Sequence, residues 1–159
     1  MKILRDTREQ QGFDFTFYDV DVEDKKLDQG DYTTELLIND ITIERKASTT
    51  EISSNLLRKS SKERFLRECD RIKELKRGYI VFEFPESEVF KFPWNTKLSR
   101  AQKENIRVNG RALYKMICNI EETYPNIELI YCNDKEEAEK FTYDILSFWE
   151  RQLGYRDSP

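Results

Sequence analysis

Two neighbouring apolar-patterned segments, 31–38 and 41–46, constrain the fold of this chain more than any other feature. Only the Asn-Asp dipeptide at 39–40 separates them, a short polar connection of the kind that closes β-hairpins. A two-residue loop would place Leu36 of the first strand directly opposite Ile43 of the second. The sequence therefore predicts a tight hairpin whose two faces can be assigned residue by residue.

Alternation with period two places Asp31, Glu44 and Lys46 of this hairpin on one face, together with Glu35. Carboxylate oxygens suit hard divalent cations such as Mg²⁺ or Mn²⁺. Such a cation polarises a phosphate and activates water, while a lysine steadies developing negative charge. The chain has no histidine, which excludes Ser-His triads and histidine metal sites. Exposed strands also carry charges for solubility, and a one-residue slip would separate these charges, so both interpretations stay open on pattern alone.

Five short motifs follow one another along the chain at characteristic intervals. They are Asp6-Thr7-Arg8-Glu9, Gly30-Asp31-Tyr32, Glu44-Arg45-Lys46, Arg64-Phe65 and the apolar segment 79–83, which ends in glutamate. In order and approximate spacing they resemble the nuclease domain of the XPF family, and the resemblance covers nearly the whole chain. Each motif alone is weakly specific, whereas five in the same order are much more so.

The resemblance implies an α/β fold of the restriction-endonuclease type, with a central mixed β-sheet flanked by helices. It also implies a Mg²⁺- or Mn²⁺-dependent endonuclease that hydrolyses phosphodiester bonds at branched, flapped or nicked DNA. Carried over residue by residue, Asp31 and Glu44 would hold the metal, Asp6 would lie nearby, and Lys46 would face the scissile phosphate.

Further positions match the family motifs as site-shaping or phosphate-contacting residues, namely Arg8, Glu9 and Arg45. One position departs from the pattern. The family places an acidic residue four positions after the motif lysine, where this chain has Thr50, and Glu51 follows it. Whether Glu51 belongs to the site is left open. The catalytic set implied by the resemblance is Asp6, Arg8, Glu9, Asp31, Glu44, Arg45 and Lys46, with Asp6, Asp31 and Glu44 as metal ligands.

The net charge of −4 conceals a strong asymmetry along the chain. Residues 1–57 carry a net charge of −6, residues 58–115 carry +8, and residues 116–159 carry −6. Such segregation indicates that the middle of the chain meets a polyanion, although mixed charge on exposed helices is also ordinary. The predicted DNA-binding residues are Arg58, Lys62, Arg64, Arg67, Lys97, Arg100, Lys103 and Arg107.

Composition predicts one globular domain over residues 1–159, since 38% of the residues are hydrophobic and 13% aromatic. No apolar run is long enough for a membrane span, and the N-terminus lacks the pattern of a signal peptide. Cys69, Cys118 and Cys132 are far apart and odd in number, so neither a disulfide framework nor a zinc site is indicated. We expect a cytoplasmic protein, in the host-cell cytoplasm if it is phage-encoded.

Members of the XPF family generally add a tandem helix-hairpin-helix module, and the chain ends at Pro159 without room for one. DNA would then be held by the nuclease fold itself, by a homodimer, or by a separate DNA-binding or regulatory partner. A short nuclease of this kind suits repair, recombination or a phage function. Two alternatives stay open: a non-catalytic DNA-binding scaffold with a nuclease fold, and a phage-type protein-interaction or inhibitor protein.

The remaining pattern places further elements along the chain. We predict strands at 13–18, 79–84 and 127–132. One helix is predicted to begin near Ser48, and a second to begin at a Ser60-x-x-Glu63 capping box and to end at Gly78. A third helix is predicted at 111–123, followed by a final apolar-rich helix. Residues 85–94 form an aromatic insertion that is either a wedge against an unpaired base or a packed surface flap.

Overall fold

The strands and helices follow the alternating and helical apolar patterns of the chain, and the computed structural model describes them over residues 1–154. The strands are β1 (Lys2–Arg5), β2 (Asp21–Asp24), β3 (Tyr32–Thr34), β4 (Ile41–Lys46), β5 (Arg77–Phe82) and β6 (Ile127–Tyr131). The helices are α1 (Thr49–Leu57), α2 (Lys59–Ile72), α3 (Glu86–Phe90), α4 (Arg100–Asn105), α5 (Gly110–Thr123) and α6 (Lys135–Gly154).

All six strands join in one mixed sheet in the order β2-β1-β3-β4-β5-β6. Strands β4, β5 and β6 run parallel, whereas β3 is antiparallel to both β1 and β4. The predicted α/β fold, a mixed sheet flanked by helices, is confirmed. The predicted domain bounds include residues 155–159, which lie outside the described residues. Within residues 1–154, no helix combines the length and apolar character that a membrane crossing requires.

Alternation along β4 separates two apolar cores on opposite faces of the sheet. Ile41 and Ile43 point into one core, which α6 covers through Ala138 and Leu146. Helices α1, α2 and α5 form the other core on the opposite face; its members include Ile52, Phe65, Ile80, Phe82, Leu113 and Ile117. Glu44 lies between Ile43 and Arg45 in β4 and so faces α1 and α2 rather than α6.

The predicted two-residue turn at 39–40 is wrong, because β3 ends at Thr34 and residues 35–40 form a wider turn. The N–H of Leu37 donates to the Thr34 carbonyl at 3.2 Å, and the N–H of Ile41 donates to the Leu37 carbonyl at 2.9 Å. Leu37 is fully buried. The wider turn carries this side chain into the core, which a tight hairpin would not have done.

The register of the two strands consequently differs from the predicted one. Tyr32, rather than Leu36, pairs with Ile43. The offset is four residues, an even number, so the residues that remain extended keep the face that the prediction gave them, whereas Leu37 in the turn joins Ile41 and Ile43 in the opposite core. Asp31, one residue before β3, therefore still shares a face with Glu44.

The predicted strand at 13–18 is absent from the described chain, which turns there, and the edge strand is β2 instead. Phe13 is buried by stacking on Tyr32, with ring centroids 5.1 Å apart. The acidic β2 pairs in parallel with β1, and Arg5 binds Asp24 through Nε at 2.7 Å. Ion pairs across this edge replace the apolar pattern by which a strand is usually recognised.

Helix ends also differ from the prediction. Helix α2 begins at Lys59 without a side-chain cap, so the Ser60 capping box is wrong. It ends at Ile72, and Gly78 lies inside β5. Ser48 instead caps α1, since its Oγ accepts the N–H of Glu51 at 3.2 Å. This cap fixes the first turn of α1 directly after the charged end of β4.

Candidate active site

Gly30 makes the turn that presents Asp31 to the sheet. Its φ is +71°, and a Cβ there would lie 2.0 Å from Thr42 Oγ1, so a side chain is excluded by both conformation and space. The N–H of Asp31 then donates to the Ile43 carbonyl at 2.8 Å. The glycine and the acid of the Gly-Asp-Tyr motif thus have distinct roles, the first in bending the chain and the second in facing the cavity.

Asp31, Glu44 and Lys46 line one open cavity of about 290 Å³ between β4 and helices α1 and α2. Lys46 Nζ donates to Glu44 Oε1 at 2.9 Å, and the N–H of Arg45 donates to Asp31 Oδ2 at 2.8 Å. Within residues 1–154, the other oxygen of each carboxylate, Asp31 Oδ1 and Glu44 Oε2, accepts no hydrogen bond. Two carboxylate oxygens are therefore free to bind a cation.

The two carboxylates repel one another. Burial raises the pKa of Asp31 well above its ordinary value, and the charge of Glu44 adds to the shift. Burial alone would lower the pKa of Lys46, but the charges of Glu44 and Glu51 outweigh burial, and the pKa is raised. Lys46 therefore stays protonated, with Nζ 5.2 Å from the centroid of the Phe65 ring. The side chains that line the cavity comprise five carboxylates and four cations: Asp28, Asp31, Glu44, Glu51 and Glu68 against Arg8, Lys46, Arg64 and Arg71. A small excess of negative charge therefore remains, which favours a further cation.

Glu51 also lines this cavity. Its Oε2 accepts the N–H of Ala47 at 2.9 Å, and its Oε1 lies 3.9 Å from Lys46 Nζ. The helical start at Thr49 rotates position 51, rather than position 50, towards the lysine. The structure thus places this displaced acid beside the predicted site residues.

Asp6 lies outside the cavity, and its carboxylate has other partners. Arg8 donates to Asp6 Oδ1 from Nε at 2.8 Å and to Oδ2 from Nη2 at 3.0 Å. The N–H of Leu27 also donates to Oδ2 at 2.8 Å. Burial raises the pKa of Asp6, but these hydrogen bonds outweigh burial and hold the pKa below its ordinary value. Asp6 positions Arg8, which does line the cavity.

Arg45 points to the opposite face of β4 from Glu44 and Lys46. It donates to Glu9 from Nε at 3.0 Å and Nη2 at 2.7 Å, and to Glu83 from Nη1 at 2.8 Å. All three side chains are nearly buried. This bridge joins the N-terminal motif to the ends of β4 and β5, so Glu9 and Arg45 shape the site without facing the cavity.

Three residues of α1 and α2 that the predicted catalytic and DNA-binding sets leave out also line the cavity, and so do Asp28 and Gln29. Glu68 and Arg71 line it together with the predicted Arg64, at helical spacings of four and three. Burial raises the pKa of Glu68, with a further contribution from the charge of Glu44. Asn55 lines it from α1, and its buried Oδ1 accepts no hydrogen bond from residues 1–154. The sequence could have indicated Glu68 and Arg71 in one way only, because residues 64, 68 and 71 share one face of a helix.

The predicted DNA-binding residues do not form one surface. Arg64 lies at the cavity with Asp31 and Glu44, whereas Arg58 and Lys62 line separate cavities. The others lie on the exposed part of α2 or in and around α4; these are Arg67, Lys97, Arg100, Lys103 and Arg107. The structure therefore places one of the eight at the cavity that Asp31 and Glu44 line.

The acidic residues do not form a closed metal cage. Across residues 1–154, no group of three or more acidic or cysteine side chains is arranged to hold an ion by itself. The donor set that fits is smaller: one free oxygen each from Asp31 and Glu44, with the open cavity admitting water. Magnesium commonly binds in this way, through one or two carboxylates and several waters.

Comparison with known proteins supports the fold. No family model matches the sequence, and no curated protein matches it. Solved structures do match the fold, and two of them are XPF structures. "XPF from Aeropyrum pernix" has a TM-score of 0.68 and 21% identity and covers 97% of this chain and 67% of its own. "XPF from Aeropyrum pernix, complex with DNA" has a TM-score of 0.64 and 19% identity and covers 95% of this chain and 66% of its own. The chain thus spans about two thirds of the length of these structures. At such identity the likeness establishes a shared XPF-like nuclease fold.

Proposed function

We propose that this protein is an endonuclease that hydrolyses phosphodiester bonds in DNA and requires Mg²⁺ or Mn²⁺. The observation that carries the proposal is the convergence of Asp31, Glu44 and Lys46 on one cavity, with a free oxygen on each carboxylate. The fold adds support, because one structure that shares it is a complex with DNA. Branched, flapped or nicked DNA is the substrate class that the motif resemblance favours.

Each of these side chains has a distinct role in the proposed reaction. Asp31 and Glu44 would hold the divalent cation through their free oxygens, and the cation would supply Lewis-acid polarisation of the phosphate and a more acidic water. Lys46 donates to an oxygen of the scissile phosphate and stabilises the negative charge that develops there. Asp6 lies outside this ligand set because Arg8 and Leu27 occupy its carboxylate.

Three neighbours complete the proposed site. Arg8 and Arg64 lie at the cavity rim, where guanidinium groups bind phosphate oxygens on either side of the cleaved bond. Glu51 adds a second carboxylate beside the ammonium of Lys46, at 3.9 Å. Together with Glu44 at 2.9 Å, it keeps the lysine protonated and in position.

Cleavage of end-labelled flap, fork and nicked duplexes tests this function, with Mg²⁺ or Mn²⁺ and with EDTA as the metal-free control. We expect cleavage that requires the ion and that falls at least about 100-fold in Asp31→Asn, Glu44→Gln and Lys46→Met. Glu122→Gln and Lys115→Met make the same charge changes on the exposed surface of α5 and should cleave as the wild type does. Wild-type activity in all three site variants would refute the assignment.

A further inference from the structure

A second cavity, of about 340 Å³, lies between α1 and the segment 92–106. Leu57 and Arg58 line it from the end of α1, and Phe92, Leu98 and Ile106 form an apolar wall across from them. It is open to solvent, and its apolar wall adjoins the core beneath α1, α2 and α5, to which Phe92 belongs. The insertion that follows β5 therefore builds a recess as well as a surface flap.

Helix α1 is the common wall of the two cavities. Glu51 and Asn55, four residues apart, face the catalytic cavity. Ser54 and Leu57 face the second one. Because an α-helix with its side chains is about 10–12 Å across, a strand that passes over α1 reaches one cavity soon after leaving the other.

The second cavity combines flat apolar surface with amide groups that have free hydrogen-bonding capacity. Asn105 makes no hydrogen bond through its side chain within residues 1–154. Gln102 accepts the N–H of Ser99 through Oε1 at 2.9 Å, which leaves its Nε2 free to donate. Apolar side chains that contact the face of a base, with polar groups at its edge, are how proteins hold a nucleobase that has left the helical stack.

The charge around this recess suits a nucleic-acid strand. Arg58 lies in its wall, and Lys97 and Arg107 flank α4. None of these three forms an ion pair within residues 1–154. Unpaired cations beside an apolar recess match the alternation of phosphate and base along a single strand.

We propose that this second cavity binds one unpaired nucleotide base of the DNA strand that is cleaved beside it. The inference rests on the proposed function and narrows it to DNA that has a single-stranded nucleotide next to the scissile bond. Arg58 contacts the phosphate of that nucleotide, while Leu57, Ile106 and Asn105 contact its base.

The test is a binding cycle between protein and DNA variants, measured by fluorescence anisotropy with labelled flap DNA and Mg²⁺. All proteins carry Glu44→Gln so that the DNA stays intact. An abasic site is moved one nucleotide at a time through the single strand near the junction. The pocket variant carries both Leu57→Ala and Asn105→Ala. The control variant is Gln152→Ala, which lies on α6 away from the cavity. If the double variant does not fold, Asn105→Ala alone is used as the pocket variant.

We expect the abasic site to weaken binding about 10-fold at one position and much less elsewhere. The pocket variant should bind intact DNA about 10-fold more weakly and should lose the sensitivity to that abasic site, because the base no longer has a partner. The Gln152→Ala protein should retain the sensitivity to the abasic site at that position.

The proposal is overturned if the abasic site weakens binding equally at every position, or if it weakens binding of the pocket variant as much as that of the protein with the intact pocket. Parallel cleavage by protein with an intact Glu44 separates the two claims. Metal-dependent cleavage without a position-specific abasic effect would leave the proposed function standing and remove this inference alone. Absence of both cleavage and binding would remove both.

Discussion

The carboxylate of Asp31 accepts the backbone N–H of Arg45 at 2.8 Å, which ties the turn before β3 directly to the strand that carries Glu44 and Lys46. One oxygen of Asp31 is thus structural and the other is free for a cation. Because the two oxygens have different roles, variants of Asp31 should affect the stability of the fold and the cleavage of DNA separately.

Asp31→Asn keeps an acceptor for Arg45 and removes the negative charge. We expect loss of cleavage together with an unfolding free energy that is unchanged or about 1 kcal/mol higher, because the repulsion from Glu44 is gone. Asp31→Ala lacks the acceptor as well and should be destabilised by about 1–3 kcal/mol. Urea unfolding without divalent ions measures both, and an Asn variant less stable than the Ala variant would contradict this interpretation.

Arg45 should matter for stability far more than an exposed arginine does. Arg45→Met leaves the carboxylates of Glu9 and Glu83 buried without a partner, which should cost about 3–5 kcal/mol of unfolding free energy. Arg100→Met removes the exposed pair with Glu104 and should cost less than about 1 kcal/mol. The two variants are compared by urea unfolding at neutral pH. Equal losses would show that the buried bridge is not what holds the N-terminal motif in place.

Asp6 should contribute stability that depends on pH. Its pKa is below the ordinary value in the folded protein, so the contribution is complete above the unfolded-state pKa of about 4 and is lost as the pH falls through the folded pKa. Asp6→Asn has no carboxyl to titrate. The stability difference between wild type and Asp6→Asn should therefore be constant from pH 7 to about 5 and shrink below about pH 4. Unfolding at a series of pH values checks this, and a constant difference down to pH 3 would exclude it.

Gly30 should tolerate no side chain. Gly30→Ala forces an unfavourable backbone conformation and brings Cβ against Thr42 Oγ1, so we expect a loss of about 1–3 kcal/mol and impaired cleavage as Asp31 shifts. Gly154→Ala is the matched control, because a Cβ there would meet nothing within 4 Å. Thermal unfolding of both variants gives the comparison. A Gly30→Ala protein as stable as the Gly154→Ala protein would show that the turn can rearrange.

The grouping of Asp31, Glu44 and Lys46 was predictable although the hairpin itself was not. Side-chain parity depends only on whether the register changes by an even or an odd number, and the wider turn around Leu37 changed it by four. The turn was unpredictable for a tertiary reason, since burial of Leu37 decides its length. Local turn preferences carried no information about that burial.

The helical side of the cavity was largely beyond sequence reasoning. Glu68 and Asn55 become site residues only because α1 and α2 pack across the face of β4, and a charged helix face looks the same whether it meets solvent or a cavity. For Asp6, in contrast, the motif position did not indicate where the carboxylate lies. Its motif position indicated a place near the metal, whereas four hydrogen bonds from Arg8 and Leu27 direct its carboxylate elsewhere.

The most direct test of the central claim is the ion dependence of single-turnover cleavage in wild type and Glu44→Gln. Labelled flap DNA is mixed with excess protein, and the cleavage rate is measured as Mn²⁺ is increased from zero. We predict a wild-type rate that rises from zero to a plateau, and a Glu44→Gln rate at least about 100-fold lower at the same ion concentration. Cleavage by wild type that persists in EDTA, or equal rates in the two proteins, would contradict it.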